Sequence, residues 1–426
     1  MTENHNYHTP KEGELDWHIP LNENFENLDR TVTVRDTEDA RDSYEPYADA
    51  LFVATDTGER FIGDGESWVP LPYPASSSSS PFAALSNGHA LAYSGQAGAF
   101  RSANPSQFSD DSDTIQSLVD WIVSFGPLNA AGDIWLPATK PDGSRWDFPE
   151  TVYIADTESG EPVHINIYGV GMVGEGPQIA TSIDDGSPIF KFVGDTSSNA
   201  TPSEGFVVEG LSFDNEGTDA VQLEFVNCSE FQVQQCTLTD FSGSGLVVDS
   251  GCYGFYLAPH IKTLNRSAVG IEFRHTDDTF PVLGNATVGE ETVIQTPMDV
   301  AIRDNAGVYS MRISGEFEGA SGNGLIDVQA DGSQLLITPH TLLGYTTDGA
   351  DAIHIGANAE IVAMPGEIAG CDGDAIHNAS GETVQFLSVS PCIYMHGVGG
   401  QLLNLQAGDL DAANDLRNAL GLSTYQ

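Results

Sequence analysis

Basic residues are scarce in this 426-residue chain: 15 Lys and Arg oppose 62 Asp and Glu, which leaves a formal net charge of −47. Nucleic-acid binding depends on Lys and Arg side chains that neutralise phosphates, so the composition excludes a nucleic-acid partner. The acidic residues are dispersed along the chain rather than collected in one tail. Because the Debye length shrinks to ~3 Å in molar salt, self-repulsion is screened there. The charge therefore predicts a folded protein adapted to molar salt, as in haloarchaea.

Long apolar runs and a secretion signal are also absent. No stretch of 18 consecutive apolar residues occurs, and the first residues contain neither a basic nor an apolar segment. The sequence therefore predicts no membrane span, no signal peptide and no export by the ordinary secretion signal. The cysteines form no C-x-x-C pair and most lie in apolar segments, which favours buried free thiols over a zinc site. They are Cys228, Cys236, Cys252, Cys371 and Cys392.

A short phrase recurs through the second half of the chain: a small or apolar residue, a Val or Ile, and a residue predicted to face outward. The middle residues are Val221, Val247, Ile271, Ile302, Ile326, Ile353 and Ile376, spaced by 26, 24, 31, 24, 27 and 23 residues. A repeat of this length with one β-branched strand per period is typical of a β-solenoid rather than a helical array. We therefore predict an all-β fold, a right-handed parallel β-helix of about ten coils, with these seven side chains in its core.

The sequence predicts four segments: a β-rich N-terminal module (1–75), a linker and connecting segment (76–104), the β-helix (105–405) and a C-terminal helix or cap (406–426). In the N-terminal module, Asp56-Thr-Gly58 predicts the turn of a β-hairpin, across which Trp68 packs. The boundary after this module is rich in Pro and Ser, which is typical of a linker.

An amphipathic helix is predicted at the start of the body. Asp113 is a suitable N-cap, and apolar residues follow it at helical spacing. They are Ile115, Leu118, Val119 and Ile122. We expect this helix to cover the open apolar end of the first coil. Trp121, Trp135 and Trp146 are predicted as core or end-cap residues.

The start of the body resembles a known superfamily. Asp110-Asp-Ser-Asp-Thr-Ile-Gln-Ser-Leu-Val-Asp-Trp-Ile122, then Gly132-Asp-Ile-Trp-Leu-Pro137 and Ile167-Tyr-Gly-Val-Gly-Met-Val-Gly-Glu-Gly176, are similar to the opening of the pectate-lyase superfamily. That opening is shared by the right-handed β-helix tail spikes and tail fibres of tailed viruses. The sequence departs from it after Pro137, where the family has a compact Gly-Thr-Tyr turn.

The front of the chain resembles the virion-proximal part of tail-fibre proteins. Trp17-His-Ile-Pro-Leu21-Asn22-Glu-Asn-Phe25 is similar to a segment near the start of many of them, and residues 51–68 are similar to the small β module that often follows. The resemblance implies that Trp17, Leu21, Asn22 and Phe25 anchor the chain to the virion. Residues 1–75 are then expected to contact other tail or baseplate proteins.

Together with the charge, the resemblance implies a tail-fibre or tail-spike protein of a haloarchaeal tailed virus, made in the host cytoplasm and carried outside on the virion. It implies a homotrimer whose β-helix attaches to host-surface glycans or S-layer glycoprotein. Two alternatives stay open: a polysaccharide depolymerase, either hydrolase or lyase, and a purely structural tail or baseplate fibre. No cofactor is required, although Na⁺, K⁺, Mg²⁺ or Ca²⁺ can bind loosely in a high-salt environment.

The residues that follow the repeated Val or Ile predict a surface column. It consists of Gln222, Val248, Glu272, Arg303, Asp327, His354 and His377. Because stacked coils lie ~5 Å apart, Glu272, Arg303 and Asp327 form an alternating-charge ladder and the two histidines lie one coil apart. The column is either a self-paired wall or a glycan- or receptor-binding strip. No metal site is predicted, because the sequence shows no third ligand beside the two histidines.

Further candidates are aromatic or acidic. Tyr253 and Tyr256, around Phe255, are candidates for an aromatic sugar platform, with core filling as the alternative. A hydrolase needs paired carboxylates on adjacent coils, for which the candidates are Asp277, Asp278, Asp372 and Asp374. The Asn-Thr-Asp, Gly-His-Gly and Arg-Ile-Lys signatures of the hydrolases of this fold are absent.

Overall fold

The structure, a computed structural model, describes residues 34–44, 46, 51–54, 60–63, 67–70, 81–125, 130–155, 163–171, 176–194, 203–277, 283–295, 298–319, 322–343, 349–363, 365–380, 385–389, 394–396 and 403–404. The chain divides into two units, Met1–Ala83 and Ala84–Gln426. Several predictions lie outside the described residues: the anchoring residues Trp17, Leu21, Asn22 and Phe25, the C-terminal helix in 406–426, Asp278 and Cys392. No helix of the described part is long and apolar enough to span a membrane.

The first unit contains a four-stranded sheet. Its elements are β1 (Val34–Asp36), a 3₁₀ helix (Glu38–Ser43), β2 (Leu51–Ala54), β3 (Arg60–Gly63) and β4 (Trp68–Pro70), and the sheet order is β1-β2-β3-β4. Strands β2 and β3 pair antiparallel, and the predicted turn residues Asp56 to Gly58 lie outside the described residues. Phe52 and Phe61 are buried, and the ring of Trp68 lies 5.6 Å from that of Phe52. The Trp68 indole also donates a hydrogen bond to the carbonyl of Tyr44, 3.1 Å away, so the predicted packing of Trp68 is confirmed.

The other helices are α1 (Pro81–Ser86), a 3₁₀ turn (Pro105–Gln107) and α2 (Asp111–Val123). The next strands are β5 (Ala90–Ser94), β6 (Ala99–Ala103), β7 (Ala130–Pro137), β8 (Trp146–Phe148), β9 (Val152–Ile154), β10 (Val163–Val170), β11 (Gln178–Thr181), β12 (Pro188–Val193), β13 (Ser203–Glu204), β14 (Val207–Glu209), β15 (Ser212–Asp214), β16 (Val221–Val226), β17 (Cys228–Ser229), β18 (Gln232–Thr239), β19 (Ser244–Asp249) and β20 (Tyr256–Lys262). The remaining strands are β21 (Val269–Phe273), β22 (Thr287–Val288), β23 (Val293–Gln295), β24 (Val300–Asp304), β25 (Met311–Ile313), β26 (Glu316–Glu318), β27 (Gly324–Val328), β28 (Ser333–Ile337), β29 (Thr341–Leu343), β30 (Asp351–Ile355), β31 (Ala359–Ala363), β32 (Glu367–Ala369), β33 (Ile376–Asn378), β34 (Gln385–Val389), β35 (Tyr394–His396) and β36 (Leu403–Asn404).

From β7 onward these strands form a parallel β-solenoid, which confirms the all-β prediction. A coil contributes three strands in sequence, such as β25, β26 and β27, and each pairs in parallel with its counterpart one coil later, β28, β29 and β30. The third strands form a ten-stranded sheet with the spatial order β9-β12-β16-β19-β21-β24-β27-β30-β33-β36. The other strands form a twenty-stranded sheet, and β13 pairs separately with β17. Ten strands at ~4.8 Å spacing give a stack ~43 Å long.

The inward column of the ten-stranded sheet corrects two of the seven predicted core positions. Backbone register aligns Val152, Phe190, Leu223, Leu246, Ile271, Ile302, Ile326, Ile353 and Ile376. Leu223 and Leu246 thus occupy the places predicted for Val221 and Val247. Val247 pairs with Glu224 and Glu272 on the outer face, whereas Val248, predicted to face outward, pairs with Phe225 and Phe273 on the inner face.

Aromatic stacking fills the middle of the core. The ring centroid of Phe225 lies 4.7 Å from that of Phe192 and 4.2 Å from that of Phe231. The stack continues through Phe255 to Phe273. Stacked rings bury large apolar area and gain a further ~0.5–1.5 kcal/mol per pair. Phe255 is therefore a core residue and no part of a sugar platform. The four described cysteines are buried free thiols, as predicted.

Helix α2 covers the first coil, as predicted. Ile115, Leu118, Val119 and Ile122 are fully buried in the core of the solenoid. The N-cap is Asp110 rather than Asp113, because the Asp110 carboxylate accepts the backbone N–H of Asp113 at 2.9 Å. The hairpin β5–β6 lies in the segment predicted as linker and connection, and β5 pairs antiparallel with β7.

Candidate functional site

One row of side chains runs along the outer face of the ten-stranded sheet. Among residues with described side chains, backbone register places nine in this row, which we call the outer column: Tyr153, Lys191, Glu224, Val247, Glu272, Arg303, Asp327, His354 and His377. The five predicted members from Glu272 to His377 are therefore brought together in the predicted order. Gln222 lies two residues before the column member Glu224 and is buried, and Val248 is in the core.

The charged members of the outer column are paired within the protein. Lys191 Nζ lies 3.1 Å from Glu224 Oε2, and Arg303 Nε lies 3.4 Å from Asp327 Oδ2. Arg303 also contacts Asp299 at 2.7 Å. Asp327 is only 1% exposed, so its charge is compensated inside the protein rather than offered to solvent. This part of the column forms a partly buried ion-pair network.

Glu272 has its own set of partners. Its Oε2 accepts hydrogen bonds from Arg274 at 2.7 Å and from Ser244 at 2.5 Å, and its Oε1 accepts one from the amide of Asn305 at 3.0 Å. Burial alone would raise the pKa of Glu272, but the hydrogen bonds and the Arg274 charge hold the pKa below its ordinary value. The carboxylate is therefore held in its ionised form. Binding of this column to a glycan stays a prediction.

The outer column ends among the described side chains in a cluster of His and Asp. The rings of His354 and His377 lie 5.4 Å apart on the paired strands β30 and β33. Asp351 Oδ2 lies 2.9 Å from His377 Nδ1 and 3.5 Å from His354 Nδ1. Asp374 Oδ2 lies 3.9 Å from His377 Nδ1. Burial lowers the pKa of His354, so neutral imidazole is favoured there.

A second group of side chains, an aromatic row, lies on the twenty-stranded sheet. Tyr93 and Phe100 are paired across the hairpin β5–β6 with ring centroids 4.9 Å apart. Phe100 lies 6.3 Å from Trp135, which stacks on Tyr168 at 6.0 Å with ring planes 21° apart. All four side chains are partly exposed. We call these four residues the aromatic row.

The aromatic row leads into a cleft of about 350 Å³. Its lining includes Trp135, Tyr168, Glu209, Ser212, Gln235 and Thr237. Glu209 follows Tyr168 in the strand register, so a carboxylate continues the row where the rings end. Burial and the neighbouring carboxylates of Asp133 and Glu209 raise the pKa of Tyr168. The arrangement offers flat apolar faces beside hydrogen-bonding groups.

Trp135 was predicted in the core or the end cap, and this is wrong. In β7, Ile134 and Leu136 are buried, so Trp135 between them faces outward. In β10, Ile165 and Ile167 are buried in the same way, so Tyr168, which follows Ile167, faces outward. The alternation of apolar and other residues with period 2, which is typical of a half-buried strand, indicated in the sequence that Trp135 and Tyr168 face outward. Trp146, in contrast, is fully buried, and its indole donates to the carbonyl of Pro137.

Tyr253 and Tyr256, the predicted sugar platform, lie apart from the aromatic row and are partly buried. Tyr253 belongs to a line of single bridges with Ser229 and Gly284. The hydroxyl of Tyr256 donates a hydrogen bond to Glu291, which raises the pKa of Tyr256 to about 12. Sugar binding by these two residues stays a prediction.

The acidic candidates for catalysis lie in two separate places. Asp277 follows β21 and is exposed, while Asp372 and Asp374 precede β33. Strands β21 and β33 are four strand spacings apart in the sheet, or ~19 Å at ~4.8 Å each. Paired carboxylates of glycosidases lie ~5–9.5 Å apart. Asp277 therefore forms no catalytic pair with Asp372 or Asp374.

No protein-family model matches the sequence, and no curated protein matches it. Among solved structures, the chain is similar to ORF18 of Geobacillus virus E2, with 12% sequence identity and a TM-score of 0.35. The match covers 88% of this chain and 72% of that chain. A likeness at this identity and TM-score establishes neither a family nor a function.

Proposed function

We propose that the protein is a tail-fibre or tail-spike protein of a virus of haloarchaea, and that its right-handed β-helix attaches the virion to glycans of the host surface. The net charge of −47, the parallel β-solenoid and the sequence resemblances of the front of the chain and of the start of the body support this proposal. The aromatic row and its cleft are the observation that carries the binding function. A homotrimer anchored through residues 1–75 completes the proposal.

The aromatic row suits a sugar because a pyranose ring has apolar C–H faces and polar edges. Aromatic rings that are apolar on the face and polar at one end pack against such ligands. Trp135 and Tyr168 provide the faces, while Glu209, Gln235 and Thr237 provide acceptors and donors for hydroxyl groups. A volume of about 350 Å³ lies within the usual range for small-ligand sites and accommodates one or two sugar units.

The charge of the site points to a neutral glycan. Among the described lining residues of the cleft, Glu209 is charged and none is Lys, Arg or His. Asp133, beside Tyr168, is also acidic and accepts a hydrogen bond from Asn166 at 2.7 Å. A uronic-acid or sulfated sugar would place like charges next to both carboxylates. Neutral hexoses and amino sugars avoid this cost.

The test is a glycan array probed in molar NaCl with the purified full chain. Neutral oligosaccharides are expected to bind at least about ten-fold more tightly than galacturonate oligosaccharides, and Trp135→Ala and Tyr168→Ala should each weaken that binding about ten-fold or more. Tyr153→Ala is the matched control, because Tyr153 is an exposed tyrosine on the ten-stranded sheet, away from the cleft. Equal losses in Tyr168→Ala and Tyr153→Ala, or binding of acidic glycans alone, would contradict the site.

The attachment role has a separate test. Soluble protein is expected to compete with virus adsorption to haloarchaeal cells, and Trp135→Ala should compete less well. Failure of the wild-type protein to compete would favour the structural-fibre alternative. The trimer is tested by light scattering in molar NaCl, where three chain masses are expected and a single chain mass would exclude it.

A further inference from the structure

The last two residues of the outer column, His354 and His377, each end the same four-residue sequence motif. Asp351-Ala-Ile-His354 and Asp374-Ala-Ile-His377 are identical in sequence and lie on adjacent coils. The backbone register pairs His354 with His377. The stacking of the two motifs therefore brings two imidazoles and two carboxylates together.

The donor atoms of three of these residues converge. One nitrogen or oxygen from each of Asp351, His354 and His377 lies within 4.8 Å of the other two. Asp351 Oδ2 is central to the cluster, at 2.9 Å from His377 Nδ1 and 3.5 Å from His354 Nδ1. Ligands at ~2.1 Å around a tetrahedral ion are separated by ~3.4 Å. The separation of 3.5 Å is close to this value, and the separation of 2.9 Å is about 0.5 Å shorter.

The hydrogen bonds of the cluster leave one nitrogen unpaired. Asp351 Oδ1 accepts the backbone N–H of Asp374 at 2.7 Å, which fixes the carboxylate and turns Oδ2 towards the histidines. His354 Nδ1 is buried, yet it makes no hydrogen bond within the described part of the chain. A buried polar atom without a partner costs ~1–3 kcal/mol, so a ligand on this nitrogen would remove a penalty.

The chemistry of the donors selects the class of ion. Two imidazole nitrogens and a carboxylate suit Zn²⁺ and other first-row transition ions, whereas Ca²⁺ and Mg²⁺ prefer oxygen ligands alone. The cluster also places two carboxylates, those of Asp351 and Asp374, within 4 Å of the His377 ring, while the nearby Arg303 is paired with Asp299 and Asp327. A divalent cation would add positive charge beside both carboxylates.

We propose that Asp351, His354 and His377 bind a divalent transition-metal ion such as Zn²⁺, with Asp374 at the edge of the site. The ion would cross-link strands β30 and β33, and so two successive coils. This proposal is independent of glycan binding, since the aromatic row lies on the other sheet and at the other end of the coil stack.

The test is a titration of the chelator-treated full chain with Co²⁺ in molar NaCl, followed by visible absorption, with Zn²⁺ as competitor. One Co²⁺ per chain is expected, with the intense absorption of a low-symmetry, imidazole-ligated ion, and Zn²⁺ should displace it. His354→Ala, His377→Ala and Asp351→Asn should each weaken binding by at least about 100-fold. His260→Ala, an exposed histidine on β20, is the matched control and should bind as the wild type does.

Variants that keep a polar side chain of similar size separate the loss of metal binding from the loss of folding. If an alanine variant loses its far-ultraviolet circular dichroism, His354→Gln and His377→Gln replace it. Less than stoichiometric Co²⁺ in the wild type would overturn the proposal. Binding by a folded His354→Gln or His377→Gln variant that equals the wild type would also overturn it.

Discussion

Trp135 stacks on Tyr168 across the parallel strands β7 and β10, with ring centroids 6.0 Å apart and ring planes 21° from parallel. The two residues are in backbone register, so the spacing of the rings follows from the strand pairing itself. Such a platform exists before any ligand arrives. Its ligand therefore binds without the cost of ordering these side chains, which is ~0.5–1.5 kcal/mol for each side chain immobilised.

Trp135 and Phe231 should respond differently to truncation. Phe231 is fully buried between Phe225 and Phe255, so Phe231→Ala should lower the free energy of unfolding by ~3–5 kcal/mol. Trp135→Ala should lower it by less than ~2 kcal/mol, because the indole already contacts solvent. Urea unfolding in molar NaCl measures both. An equal loss of stability in the two variants would place Trp135 in the core and remove it from the binding surface.

Glu272 should contribute stability that depends on pH. Its folded-state pKa is held below the ordinary value, so the folded state binds the proton more weakly than the unfolded chain does. The contribution is present above the unfolded pKa of ~4.3 and is lost as the pH falls through the folded value. Glu272→Gln should cost ~1–3 kcal/mol at pH 7, and its difference from the wild type should shrink in acid.

The control for Glu272 is Glu290, which also pairs with an arginine, Arg312, but is exposed. Glu290→Gln should change the free energy of unfolding little at either pH, because exposed ion pairs are weak. Urea unfolding at pH 7 and pH 3.5 makes the comparison. A Glu272→Gln loss that is the same at both values would show that the carboxylate charge is not the cause.

Asp304 should have the opposite pH dependence. It occupies an inward position between Phe273 and Val328, and burial raises its pKa despite hydrogen bonds from Ser333 and backbone N–H groups. A raised folded-state pKa means that its contribution is fully present below the unfolded pKa of ~3.9 and is lost as the pH rises through the folded value. Asp304→Asn should therefore flatten the fall in stability between acid and neutral pH. If the free energy of unfolding had the same pH dependence in the wild type and in Asp304→Asn, the raised pKa assigned to Asp304 would be refuted.

Salt should stabilise the fold. With a net charge of −47, self-repulsion opposes the compact state in dilute buffer, and ions screen it. The melting temperature is expected to rise steadily from 0.1 M to 3 M NaCl, and sucrose is the control for effects other than screening. Equal melting temperatures across this range would contradict the inferred adaptation to molar salt.

The repeat in the sequence predicted the solenoid, but it did not predict the register of every coil. From Ile271 onward, each inward Ile of the repeat is followed directly by a charged residue or a histidine, so the sequence identifies which side chain faces inward. In β19, Leu246, Val247 and Val248 are all apolar and all buried, so this strand shows no alternation. A shift of one residue exchanges the two faces, which is why Val247 and Val248 were predicted on the wrong sides.

The candidate sites depended on contacts that local sequence does not contain. The aromatic row needs Tyr93 and Phe100, which come from a hairpin that pairs antiparallel with the first coil. The histidine cluster needs Asp351. On a regular strand, residues three apart face opposite sides, so Asp351 was not expected beside His354. Because Asp351 is the first residue of β30, its carboxylate can reach His377 on the next coil.

The position of a bound sugar tests the central claim most directly. The measurement is a crystal or cryo-electron-microscopy structure of the full chain with the neutral oligosaccharide that binds most tightly on the array. We expect a sugar ring parallel to the Trp135 indole or the Tyr168 ring, with its hydroxyl groups within hydrogen-bonding distance of Glu209. A sugar bound instead along the outer column, between Glu272 and His377, would contradict the assignment of the aromatic row as the binding site.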